Sequence, residues 1–163
     1  MKYLVKDKIF AIGDDYWIED ERGRHAFLVD GKALRLRDTL ELKDPDGHIL
    51  VTLRKKLFAL RDTMTIERDE RPLATVRRKR LSLLRNHFRV TLAEGTVLDV
   101  SGRVLDREFT VEYEGELLAH ISRQWFHIRE AYAVNVVRED ADTALLLSIA
   151  VCVIRMAERE RED

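Results

Sequence analysis

Two basic clusters are the residues best suited to chemistry in this sequence. Arg77-Arg78-Lys79-Arg80 follows one alternating apolar segment, and Arg54-Lys55-Lys56 closes the preceding hairpin in an equivalent place. Guanidinium and ammonium groups gathered in this way suit a phosphate-rich ligand, to which several charge-assisted hydrogen bonds form at once. Residues 51–92 hold twelve Lys/Arg against four Asp/Glu, a local charge of +8 in a chain whose net charge is −1. Alternation in an extended segment sends Arg77 and Lys79 to one face and Arg78 and Arg80 to the other, so all four meet one ligand only if the chain turns there. The competing reading is a solvated rim whose charges deter edge pairing. The anion-binding candidates are thus Lys55, Lys56, Arg77, Arg78, Lys79 and Arg80.

Other reactive residue types lack the spacing that chemistry requires. His25, His48, His87, His120 and His127 show no paired ligand spacing, and Cys152 is the single cysteine, so no metal site and no internal disulfide is expected. Asp44-Pro45-Asp46-Gly47 begins like a calcium loop, but Ile49 stands where such a loop needs glycine. It reads as a turn: proline presets φ, aspartate supplies a side-chain acceptor, and glycine takes positive φ. No nucleophile elbow, Walker loop or dinucleotide fingerprint is present, so neither an enzyme nor a cofactor is expected. A nucleic-acid partner is not expected, because the charge is near neutral and the basic residues do not interleave with aromatics.

The elements that must position these residues read mostly at period two. Runs at 9–12, 16–18, 26–29, 39–42, 49–53, 63–67, 73–76, 88–92, 97–100, 109–113, 117–121 and 132–137 are separated by turn chemistry such as Asp30-Gly31 and Glu114-Gly115. About twelve strands in a meander are predicted. The period then changes. Ala144 to Ile154 is apolar apart from Ser148, and a helix apolar all round must be buried all round. Asp140, Asp142 and Thr143 are its candidate caps. Cys152 is expected to be an inert core residue, and Ser148 to bond back to the Ala144 carbonyl.

Eleven apolar residues fall short of the roughly 20 that cross a bilayer. A closed sheet accommodates them instead. Twelve strands ~4.8 Å apart and tilted ~40° close at a radius of about 12 Å, and helices pack with axes roughly 8–10 Å from their neighbours. One central helix fits.

Asp15-Tyr16-Trp17-Ile18-Glu19-Asp20-Glu21-Arg22-Gly23, with Ala26-Phe27-Leu28-Val29-Asp30-Gly31-Lys32, resembles the opening hairpin of the LURP-one-related family. The stretches Thr39 to Gly47 and Ile49 to Leu57, and Asp142 before an apolar helix, extend that resemblance over roughly residues 8 to 156. It implies the fold of tubby C-terminal domains and phospholipid scramblases, a twelve-stranded barrel around a central C-terminal helix. The tubby branch is known for binding phosphoinositide head groups through Lys and Arg on neighbouring strands. Scramblases add a calcium-binding segment and a cysteine-rich palmitoylated stretch, which this sequence lacks.

The expectation is therefore a mainly β, antiparallel barrel at 1–157, with a central helix at about 142–156 and a charged tail at 158–163. As a function, it implies a non-enzymatic binding module for an anionic ligand, such as a phosphoinositide or other phospholipid head group or a phosphorylated partner. A protein-interaction or structural scaffold with no small ligand is the alternative. Without a signal-like apolar N-terminal run, a cytoplasmic location, peripheral at the membrane, is expected.

Overall fold

The computed structural model describes residues 1–6, 15–31, 39–56, 62–79, 85–103, 107–126 and 129–162. Among these, twelve strands form one sheet: β1 (Lys2–Lys6), β2 (Tyr16–Asp20), β3 (His25–Asp30), β4 (Thr39–Lys43), β5 (Ile49–Lys55), β6 (Thr63–Arg68), β7 (Arg71–Arg78), β8 (Arg85–Leu92), β9 (Val97–Arg103), β10 (Glu108–Tyr113), β11 (Glu116–Phe126) and β12 (Arg129–Val136). Each pairs antiparallel with the next, and β1 closes the barrel on β12, with Lys2 opposite Asn135 and Lys6 opposite Ala131. The Met1 ammonium seals that seam by donating to the Val136 carbonyl at 2.7 Å.

Alternation decides what fills the barrel. Leu40 and Leu42, Val51 and Leu53, Met64 and Ile66, Phe88 and Val90, and Phe109 and Val111 are buried in the interior. The helix α1 (Thr143–Glu162) runs among them, and every residue from Leu145 to Met156 is buried. Burying one Leu or Ile side chain contributes roughly 1.5–3 kcal/mol, and here both the wall and its filling contribute. The Ser148 hydroxyl donates to the Ala144 carbonyl at 2.7 Å, as predicted, so the one hydroxyl of residues 144–154 is satisfied within the helix. Close packing also explains Gly102. A Cβ there would stand 2.0 Å from the Glu108 carbonyl oxygen and 2.5 Å from the Phe109 ring.

The meander fixes the two ends of the barrel. At one end lie the β2–β3, β4–β5, β6–β7, β8–β9 and β10–β11 turns together with the helix N-terminus. At the other end lie the opposite termini of the strands and the C-terminal half of α1. Two guanidinium contacts register the helix between them. Arg68, at the end of β6, makes paired bonds of 2.8 and 3.0 Å to the Asp142 carboxylate, which also caps the Leu145 amide at 3.1 Å. Arg78, at the far end of β7, donates to the Met156 carbonyl and lies 5.5 Å from the Phe88 ring centroid.

Three details differ from the sequence expectation. The first strand is Lys2–Lys6, a segment in which no strand is predicted, and the predicted run at 9–12 lies outside the described residues. Of the three candidate caps, Asp142 is the one whose carboxylate takes a helix amide. The helix continues to Glu162, past the predicted end near 156, because Ala, Glu and Arg are strong helix formers.

A candidate anion-binding wall

Strand register gathers part of the basic segment on the outside of the barrel. Lys56 donates its amide to the Thr63 carbonyl, Thr63 pairs with Arg77, Arg77 with Arg89, and Arg89 with Asp99. Lys56, Arg77 and Arg89 are exposed, so one row across β5–β9 carries three cations. Lys79 lies two residues beyond Arg77 on the same face and reaches Asp99 at 3.3 Å. Directly opposed residues on neighbouring strands have Cβ atoms about 4.5–5.5 Å apart, and like charges there are destabilising. Arg77 and Arg89 form such a pair. Asp99 offsets one charge of this group and is itself open to solvent.

The other candidates divide by depth. Alternation continues the buried series Ala74 and Val76 to Arg78, so Arg78 turns inward onto Phe88 and the helix while its two neighbours turn out. Lys55 continues Val51 and Leu53 and is half-buried opposite Met64. Arg80 lies outside the described residues. Arg89 was missed by sequence reasoning. Its signal was the hairpin itself, because once β7 and β8 are paired, the residue facing Arg77 is determined.

Elsewhere, Asp44, Asp46 and His48 bring ligand-type atoms within 4.8 Å of one another. The Asp44 carboxylate is already engaged by the amides of Asp46 and His48 and by the His48 ring. The bond from the His48 amide holds the Asp44 pKa below the usual carboxylate range. Gly47 has φ of 91° and donates its amide to the Asp44 carbonyl. This is turn chemistry, in a segment flanked by strands. Burial pushes the Cys152 thiol up to about 12, so it stays protonated and inert.

A family model described as LURP-one-related matches residues 1–154. The chain is also similar to an Arabidopsis thaliana protein solved by X-ray crystallography, with a TM-score of 0.69 and 19% identity over 96% of this chain and 90% of that one. At that identity the likeness concerns the fold. No curated protein matches the chain. Among the described residues, no helix is long and apolar enough to cross a membrane.

Proposed function

The chain belongs to the LURP-one-related family, and from that premise we propose that it is a non-enzymatic binding module whose outer wall at β5–β9 receives an anionic head group, such as that of a phosphoinositide or another phospholipid. The observation that carries this reading is the opposed pair Arg77 and Arg89, flanked by Lys56 and Lys79, with Asp99 the one acid in the row. Two arginines set side by side on a sheet cost stability, and a phosphate bridging them would reverse the sign of that cost. The resemblance to the tubby branch, which uses cations of neighbouring strands in this way, supports the same chemistry. Because α1 fills the interior, recognition is left to walls and rims. Cytoplasmic placement with peripheral attachment to a membrane belongs to this proposal.

Flotation with vesicles containing phosphatidylserine and a phosphoinositide tests it. Binding at low salt should weaken steeply near physiological ionic strength, where screening acts over about 8 Å. Absence of binding at both salts, or binding that survives replacement of Lys56, Arg77, Lys79 and Arg89 by glutamine, would sink the proposal.

A further inference from the structure

The opposite end of the barrel carries a site of different chemistry. Leu92 at the end of β8, Leu98 near the start of β9, Leu118 at the bulge near the start of β11 and the first turn of the helix (Leu145, Leu146) floor an open pocket of about 310 Å³. Tyr113 stands at its edge, 37% exposed. This volume lies at the lower end of ligand pockets, which run from roughly 300 to 1,000 Å³, so it admits one or two side chains and is too small for a lipid tail. The surrounding turns are acidic. Glu94 sits between Leu92 and Thr96, Glu114 and Glu116 follow Tyr113, and Glu139, Asp140 and Asp142 lead into the helix. Two guanidinium groups answer them. Arg138 pairs with Asp140 at 2.7 Å and with Glu116 at 3.6 Å, and Arg68 pairs with Asp142 at 2.8 Å. Carboxylates remain in excess around an apolar floor.

We infer that this pocket is a docking site for a basic segment of a partner protein, which seats one large apolar side chain on the leucines and sets Lys or Arg against the acidic turns. Charge complementarity selects the occupant. An anionic head group would meet the carboxylates of the turns, whereas a cationic segment is attracted by them and its apolar anchor supplies the desolvated contact that dominates such interfaces.

Fluorescence anisotropy with a labelled Lys-Arg-Trp-Leu-Arg-Lys peptide tests the inference on the full chain. The peptide should bind, and replacing Trp-Leu by Ser-Ser, or the cations by Glu and Asp, should each weaken binding by at least about tenfold, the size of effect a central anchor carries. Ala141→Trp, which fills the pocket, and the exposed double replacement Glu94→Lys/Glu139→Lys should each weaken it as well, the latter without loss of thermal stability. Arg77→Glu should leave it unchanged, so failure here is distinct from failure of the lipid reading. Failure of the peptide to bind overturns the inference. So does binding that ignores the Ser-Ser replacement, or self-association in sedimentation that Ala141→Trp abolishes, which would make a second copy the occupant.

Discussion

The two ends of this barrel use the same residue types in opposite senses. Where the tight hairpins turn, carboxylates predominate and an arginine, Arg68, is held in an exposed pair by the helix-capping Asp142. At the other end arginine itself enters the barrel, with Arg78 stacked over Phe88 and bonded to the helix backbone. The difference teaches that in a meander the charge pattern along the chain becomes an axial pattern, because successive connections fall at alternate ends. It also teaches that neighbouring arginines divide their work by parity. Arg77 faces water and Arg78 faces the helix.

Both ends depend on the helix between them, so the largest effect should come from its middle. Leu147→Ala should cost about 2–5 kcal/mol in urea unfolding, through lost transfer energy and a cavity. A cost below 1 kcal/mol would mean that the barrel does not close on α1. Next comes the contrast within β7. Arg78→Ala should lose about 1.5–3 kcal/mol, the range for hydrogen bonds to charged groups, whereas exposed Arg77→Ala should stay within about 0.5 kcal/mol. Equal losses would erase the division by parity.

Asp142 gives a third test, at the other end. The hydrogen bond from Arg68 and that from the Leu145 amide lower its pKa against some opposing burial. Its stabilisation is therefore present above the unfolded-state pKa of about 4 and is lost as pH falls through the lower folded value. Asp142→Ala should cost about 0.5–2 kcal/mol at neutral pH, and its acid unfolding profile should be flatter than that of the parent chain. An unchanged acid profile would mean that the Asp142 carboxylate does not stabilise the helix N-terminus. The smallest effect concerns the β6–β7 turn, where Asp69 and Glu70 both hold positive φ, 50° and 61°, without glycine. Left-handed geometry costs non-glycine residues roughly 1–2 kcal/mol, so Glu70→Gly should gain up to about 1 kcal/mol in thermal unfolding.

Most of the fold was legible because its signals are local. Period-two runs, turn residues and one helix apolar on every face specify strands and a filled interior, and the width of twelve strands matches one helix. The first strand was hidden because Lys2-Tyr3-Leu4-Val5-Lys6 offers only Tyr3 and Val5 to the core. Less of the candidate site was legible. The basic runs are evident in the sequence, but their spatial grouping depends on register, which brings Arg89 beside Arg77 and is set by hairpin pairing across residues 78–88. The inward turn of Arg78 was available from the alternation of Ala74 and Val76, yet an arginine on an apolar face is overridden by the habit of placing charge outside. Excess carboxylate at the hairpin end was invisible because its members come from separate turns.

The axial division of charge is tested most directly by vesicle flotation of three proteins side by side: the parent chain, Arg77→Glu/Arg89→Glu on the basic wall, and Glu94→Lys/Glu139→Lys at the acidic end. The wall variant should stay with the pellet at low salt while the acidic-end variant floats at least as well as the parent. A wall variant that floats like the parent would contradict that division.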